Sequence, residues 1–117
     1  MLAKSARLTE SADFARATKS GLRFSTQNFV GYLYPTNLDQ PARAGLIISK
    51  NVGGSVTRHS IARKIRHALR DLYPQIPTGG LLVIRALNSA NNADVREETT
   101  KIVGALVKKF SEKAEQK

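Results

Sequence analysis

The side chains best suited to bind a ligand are concentrated in one short stretch, residues 58–70, RHSIARKIRHALR. It carries five full positive charges and two imidazoles, and no acidic residue interrupts it before Asp71. These residues are Arg58, His59, Arg63, Lys64, Arg66, His67 and Arg70. A guanidinium group donates paired hydrogen bonds to phosphate or carboxylate oxygens, and arginine predominates over lysine here. The chemistry that this stretch indicates is the binding of anions.

Catalytic chemistry has no comparable pattern in the sequence. No nucleophile is paired with a base, and no carboxylates are spaced for metal-assisted hydrolysis. His59 and His67 are eight residues apart without a third ligand, and the chain has no cysteine. We therefore predict no catalytic residue, no metal ligand and no cofactor bound by the protein alone.

The net charge points to the same kind of partner. The chain has 117 residues, the size of one domain, and its formal net charge is +10. Residues 1–70 hold 12 basic and 3 acidic side chains, whereas residues 71–117 hold 7 and 6. This uneven excess predicts a polyanionic partner for the first part of the chain. Because no run approaches 18 apolar residues and the N-terminal stretch lacks an apolar core, we expect a cytoplasmic protein without membrane contact.

The hydrophobic pattern predicts the elements that position these charges. A short helix in LTESADFARATKSG, capped by Thr9 or Ser11 and ended by Gly21, is followed by aromatic-rich residues that form one strand or a bent pair. AGLIISK predicts a further strand, and the apolar run GGLLVIRAL predicts a strand covered on both faces. Asp94 and Glu97 form a capping pattern before a long last helix.

The complete order is helix, about three strands, helix, strand, helix. It predicts an α/β two-layer sandwich around one mixed sheet. We expect a single domain over residues 1–117, with an ordered core of about 7–112.

The helix expected over residues 55–72 has two opposed faces. At 100° per residue, one face holds the apolar side chains and the other the cations. The apolar set is Ile61, Ile65, Ala68, Leu69 and Leu72, and the polar set is His59, Arg63, Arg66, His67 and Arg70. A solvated outer face and a membrane-surface helix are the alternatives to phosphate binding. The first usually has i,i+4 ion pairs, which are missing here, and the second needs a larger apolar face.

The segment SKNVGGSVTRHSIARKIRH resembles the signature S-K-x-V-G-N-A-V-x-R-N-R-x-K-R-x-x-R-E of the bacterial ribonuclease P protein component. The residues that match in register are Ser49, Lys50, Val52, Gly53, Val56, Arg58, Arg63 and Arg66. The family's opening, Arg-Leu and then D-F-x-x-V-x-R/K-x-G, is matched by Arg7, Leu8, Asp13, Phe14, Lys19 and Gly21. The resemblance spans residues 7 to about 110.

Several positions depart from this signature. His59 stands for Asn, Ser60 for the second Arg, Ala62 for Lys and His67 for Glu, and Gly54 stands where Asn is usual. The middle of the Arg-Asn-Arg motif is therefore weakened, and the role of its second arginine is not carried over to Ser60.

The resemblance implies both a fold and a function. The fold is an αβββαβα sandwich, ribosomal-protein-S5-like, with a left-handed crossover. The function is that of the accessory protein subunit of an endoribonuclease: it binds ribonuclease P RNA and the 5′ leader of precursor tRNA, while the RNA hydrolyses the phosphodiester with Mg²⁺. No further protein partner is implied. A small basic RNA-binding protein such as a ribosomal protein is the alternative, and a stand-alone nuclease is disfavoured.

Two candidate surfaces follow. The RNA-binding residues are Lys50, Arg58, His59, Arg63, Lys64, Arg66, His67 and Arg70, behind a glycine-containing loop that could hold a phosphate. The leader-binding residues are Phe14, Tyr32 and Tyr34, whose rings could stack on unpaired bases. Strand alternation puts Phe29 on one face and both tyrosines on the other, and because tyrosine keeps a polar tip we assign the tyrosines to the open face and Phe29 to the core. Core packing remains the alternative for Phe14, and Thr18 stands where the family often has a second large apolar residue.

Overall fold

The computed structural model describes residue 8, residues 11–36 and residues 39–115. This part of the chain contains three α-helices and four strands in the predicted order. They are α1 (Ser11–Ser20), β1 (Leu22–Ser25), β2 (Phe29–Pro35), β3 (Arg43–Ile47), α2 (Ser55–Leu72), β4 (Gly80–Ala86) and α3 (Val95–Glu115). Short 3-10 turns occupy Lys50–Val52, Tyr73–Gln75 and Asn88–Asn92. The prediction of one strand or a bent pair after α1 is resolved as the β1–β2 hairpin.

The four strands form one mixed sheet in the order β1-β2-β4-β3. β2 pairs antiparallel with both β1 and β4, whereas β3 and β4 are parallel and are joined by α2. The predicted single mixed sheet is confirmed. The hand of the β3–α2–β4 crossover stays a prediction.

Helices α2 and α3 cover one face of the sheet, and the main core lies between them and the strands. Strand alternation places Phe29 and Leu33 of β2 in this core, both fully buried, which confirms the prediction for Phe29. Gly31 lies between them, and a Cβ there would overlap the Ile102 side chain of α3. The glycine lets α3 pack directly on the middle of β2.

Helix α1 covers part of the opposite face. Residues Leu8, Ala17, Val30, Tyr32, Leu81 and Val83 form a second buried cluster beneath it. The predicted α/β sandwich is confirmed, with α1 as an addition on the second face. No helix in the described ranges is long and apolar enough to span a membrane.

The helix ends follow local sequence signals. Helix α1 starts at Ser11, and the Gly21 N–H donates to the Ala17 carbonyl at 3.0 Å, as expected of a residue just past a helix end. The Thr9 alternative for its cap lies outside the described residues. At the start of α3, the Glu97 N–H donates to Asp94 Oδ1 at 3.1 Å, which confirms the predicted cap.

One buried hydroxyl in α3 has no partner. The Thr99 side chain is fully buried, and its Oγ1 makes no hydrogen bond to any described residue. We expect Thr99→Val to raise the free energy of unfolding by about 1 kcal/mol, because it removes an unsatisfied polar group at nearly constant shape. Urea denaturation measures the change. Thr100→Val is the control: Thr100 is exposed and donates to the Arg96 carbonyl at 2.8 Å, so this variant should gain nothing. Equal effects at the two positions would contradict the explanation.

Candidate nucleic-acid interface

Helix α2 separates its apolar and basic side chains as its sequence predicts. Ile61, Ala62, Ile65, Ala68 and Leu69 are buried, and Ile61, Ile65 and Leu69 belong to the main core with the sheet and α3. On the opposite side, His59, Arg63, His67 and Arg70 are exposed and Arg66 is half-buried. We call these last five residues the basic ridge. From His59 to Arg70 the ridge extends about 16 Å at 1.5 Å per residue, which is long enough to face several phosphates.

The charges of the basic ridge have few partners within the protein. Arg70 Nε lies 3.8 Å from Asp71 Oδ1, and both side chains are about half exposed or more. No other cation of the ridge has a carboxylate within 4 Å among the described residues. Asp71 is itself engaged by Arg96 Nη2 at 2.8 Å, and this hydrogen bond holds the pKa of Asp71 below its usual value. Most positive charges of the basic ridge are therefore not neutralised by a carboxylate of the described residues.

Two of the RNA-binding residues predicted on α2 lie off the basic ridge. Lys64 is exposed and lines a small groove between α2 and the Asn88–Asn92 turn. Arg58 is half-buried, and its Nε is buried without a hydrogen-bond partner in the described structure. The sequence thus places these cations on the correct helix, but the structure distributes them over more than one side of it.

The loop before α2 leaves the start of the helix accessible. Lys50 is exposed in the 3-10 turn that precedes it, and Gly54 occupies the N-cap position without a side-chain cap. The first turn of α2 contains no acidic residue, and Val56 within it is 83% exposed. Uncapped N–H groups at a helix start attract anions, so this arrangement is compatible with the predicted phosphate contact near Lys50.

The aromatic residues predicted for the leader lie together on the α1 side of the sheet, but they differ in exposure. Phe14 and Tyr34 are half-buried at the border of the second cluster. Tyr32 is only 8% exposed, so the prediction that its ring lies on an open face is wrong. The reason is position: β2 is an inner strand, and α1 packs across it and β4. Phe14 and Tyr34 remain as candidates for base stacking.

Two arginines on the same face were missed by the sequence analysis. Arg85 is the exposed residue of an otherwise buried β4, and it lies beside Val30 of β2 and Ile47 of β3. Arg23 of β1 is exposed and pairs in register with Tyr32. The signal for Arg85 was present, because a charged residue breaks the apolar run at an alternating position. Phe14, Tyr34, Arg23 and Arg85 constitute the candidate leader face.

The carboxylate of one residue of α3, Glu98, lies against the β1–β2 turn and stabilises it. Glu98 of α3 accepts hydrogen bonds from the Thr26 hydroxyl at 2.7 Å, the Asn28 N–H at 2.9 Å and the Asn28 side-chain amide at 2.7 Å. It lines an open groove of about 700 Å³ together with Asp94 and Glu97. The described residues include no group of three or more His, Asp or Glu side chains that could hold a metal ion. Glu98 therefore fixes a turn.

The stability contributed by Glu98 should depend on pH. Its partial burial favours the neutral carboxyl, but the hydrogen bonds from Thr26 and Asn28 outweigh burial and hold the pKa of Glu98 below its ordinary value of 4.5. A carboxyl whose folded pKa is lowered stabilises the fold above its unfolded pKa, and this stabilisation is lost as the pH falls through the folded pKa. We expect wild type to lose more stability than Glu98→Gln between about pH 7 and pH 3.

Urea unfolding at each pH measures this difference. Glu112→Gln is a matched control, since Glu112 is an exposed glutamate of the same helix without a hydrogen-bond partner in the described structure. Parallel pH profiles for wild type and Glu98→Gln would contradict the assignment.

Comparison with known proteins identifies the family. The family model described as Ribonuclease P matches residues 2–111. The chain belongs to the ribonuclease P protein family. The resemblance drawn from the signature segment and the opening motif is thereby confirmed, and no similarity favours the ribosomal-protein alternative.

Named relatives agree with this membership, and solved structures agree with the fold. The ribonuclease P protein component of Streptomyces griseus is 39% identical over 102 residues, covering 80% of this chain and 83% of the relative. That of Arthrobacter sp. is 40% identical over 90 residues, covering 77% and 66%. The RNase P protein of Staphylococcus aureus has a TM-score of 0.78 at 24% identity, covering 87% of this chain and 95% of that one. The Thermotoga maritima protein has a TM-score of 0.71 at 22% identity, covering 87% and 96%.

Proposed function

We propose that this chain is the accessory protein of a cytoplasmic ribonuclease P ribonucleoprotein, in which it binds ribonuclease P RNA through the basic ridge and the 5′ leader of precursor tRNA through the leader face. The ribonuclease P RNA cleaves the phosphodiester with Mg²⁺ to leave the mature 5′ end. The observation that carries this proposal is an almost unneutralised row of cations on the exposed side of α2 in a member of the ribonuclease P protein family.

The basic ridge suits a folded RNA because its charges are fixed by a buried helix. Arg63 and Arg70 project from the side of α2 opposite Ile65 and Leu69, which are fully buried. The helix holds the Cα positions of these arginines in a fixed row, and each guanidinium can donate two hydrogen bonds to a phosphate. Lys50 and Arg58 extend the contact toward the start of the helix.

The leader face suits an unpaired strand of any sequence. Half-buried rings such as those of Phe14 and Tyr34 can stack on any base, and Arg23 and Arg85 supply positive charge beside them for the sugar-phosphate chain. Tolerance of sequence is what a protein needs if the leaders of different tRNA precursors differ.

The assignment of hydrolysis to the RNA is supported by the engagement of the protein's acids. Asp13 pairs with Arg43, Asp71 with Arg96, and Glu98 accepts three hydrogen bonds from the β1–β2 turn. Among the described residues, no group of three or more His, Asp or Glu side chains could hold a metal ion. The residues present bind and orient RNA, and Mg²⁺ enters with the ribonuclease P RNA.

The proposal is tested by two binding measurements. The protein should bind ribonuclease P RNA more tightly than a ribosomal RNA fragment of equal length at equal salt. Its complex with ribonuclease P RNA should bind precursor tRNA more tightly than the same tRNA without a leader, and Phe14→Ala should reduce that preference. Equal affinity for both RNAs together with no leader preference would reject the proposal in favour of a general RNA-binding protein.

A further inference from the structure

Helix α1 has a small apolar contact with the sheet. It has ten residues, and only Asp13 and Ala17 among them are buried. A helix of this length is not stable by itself in water, so its position depends on tertiary contacts. One of these two buried residues is the acid Asp13. Because a buried carboxylate is costly without a partner, we expect a polar contact between Asp13 and the rest of the fold.

That contact is an ion pair between α1 and the edge strand β3. Arg43 Nη2 lies 3.3 Å from Asp13 Oδ2, and the two side chains are 26% and 12% exposed. Arg16 Nη1 lies 3.9 Å from the other carboxylate oxygen, but its side chain is 61% exposed. Arg43 is therefore the principal partner of Asp13. The Leu8 N–H donates to the Ala44 carbonyl at 2.8 Å, so a residue ahead of α1 is also tied to the start of β3.

The same end of α1 carries Phe14. Its ring lies directly on Gly45 of β3, where a Cβ would overlap the ring carbons. Gly45 is two residues after Arg43 and so faces the same side of the strand. The ion pair and the bare backbone at Gly45 thus fix the ring of Phe14 from two adjacent points of β3.

We infer that Asp13, Arg43 and Gly45 are positioning residues that hold the Phe14 ring in the orientation in which it stacks on a base of the leader. This inference deepens the proposed function and rests on it. On this inference Arg43 acts through Asp13, toward which its Nη2 is directed.

The experiment separates positioning from direct contact with a double-mutant cycle. The variants are Arg43→Met, Asp13→Asn and the two combined, and Arg16→Met is the control that removes an exposed charge near the same carboxylate. Two quantities are measured for each: the ratio of affinities for precursor tRNA and leaderless tRNA in the complex with ribonuclease P RNA, and the NMR resonances of the Phe14 ring in the free protein.

If the inference holds, Arg43→Met and Asp13→Asn each shift the Phe14 resonances and lower the affinity ratio by about fivefold, which is the lower end of what one stacked base contributes. The combined variant is no worse than either single one, because both remove the same contact. Arg16→Met changes neither quantity appreciably. Unmoved ring resonances in both single variants would overturn the inference. A loss of leader preference in Arg43→Met but not in Asp13→Asn would overturn it too, since Arg43 would then contact the RNA itself.

Two further variants keep the test decisive. Arg43→Lys retains the charge and should restore part of the affinity ratio, which also controls for loss of folding in Arg43→Met. Gly45→Ala leaves every charge in place and should still displace the ring and lower the ratio. If wild type itself shows no leader preference while the ring moves in the variants, the proposed function has failed and the role in leader binding is overturned with it, although the contact with Phe14 is real.

Discussion

Replacing Arg63, Arg66 and Arg70 together by alanine should weaken binding to ribonuclease P RNA by about 100-fold or more near 0.1 M salt. Each phosphate contact contributes roughly 0.7–0.9 to the slope of log K against log salt. One lost contact therefore lowers the affinity about five- to eightfold at 0.1 M relative to 1 M salt, and three contacts multiply. We expect the slope to fall by about 2 units in total.

The stability of this triple variant should change little, because the only ion pair that the three side chains make with described residues is the exposed Arg70–Asp71 contact. The control is the double variant Lys101→Ala and Lys108→Ala, which removes two exposed cations from α3. It should alter the slope by much less per charge removed. If the slope of log K against log salt were the same in the ridge variant as in wild type, the basic ridge would be a solvated surface that does not contact the RNA.

Ile65→Ala should lower the free energy of unfolding by about 2–5 kcal/mol, the range for large-to-small changes in a core. Ile65 is fully buried in the main core on the side of α2 opposite the basic ridge. Its loss leaves a cavity between α2 and the sheet and weakens the support of the ridge. Chemical denaturation followed by circular dichroism measures the change.

Val56→Ala is the matched control for that prediction. Val56 is an aliphatic residue of the same helix, but it is 83% exposed, so its truncation should cost less than about 0.5 kcal/mol. If the two variants were equally stable, the division of α2 into a buried and a binding side would be wrong.

The features that the sequence predicted well depend on local periodicity. Helix α2 begins at Ser55 and ends at Leu72 as expected, and Ile61, Ile65 and Leu69 are buried because a 3.6-residue period states directly which side of a helix is apolar. The confirmed burial of Phe29 has the same origin in the two-residue period of a strand.

The sequence-based predictions fail where packing against an element distant in sequence determines whether a side chain is buried or what it contacts. Alternation correctly puts Tyr32 and Tyr34 on one face, but only the docking of α1 determines that Tyr32 is covered and Tyr34 is less so. Glu98 lies in the first turn of α3, but its carboxylate also binds the turn at Asn28, 70 residues away, which its position in the helix does not reveal. No spacing in the sequence encodes such contacts. Arg85 was missed because the strand was expected to be covered on both faces, and α1 covers only part of one.

The structure shows where on α2 the residues that depart from the family signature lie. Ala62, which stands for a lysine, is only 9% exposed at the edge of the core, so the missing charge lies beside the buried side of α2. His59 and His67 lie exposed on the basic ridge. The ridge therefore keeps its arginines at Arg63, Arg66 and Arg70 even though the middle of the Arg-Asn-Arg motif is changed.

Cleavage of precursor tRNA at a limiting concentration of Mg²⁺ tests the central claim most directly. Ribonuclease P RNA is incubated with the substrate in the presence and absence of this protein, and the protein is incubated with the substrate alone. The account predicts that the RNA with the protein releases the 5′ leader much faster than the RNA alone, and that the protein by itself releases none. Equal rates with and without the protein, or cleavage by the protein alone, would contradict it.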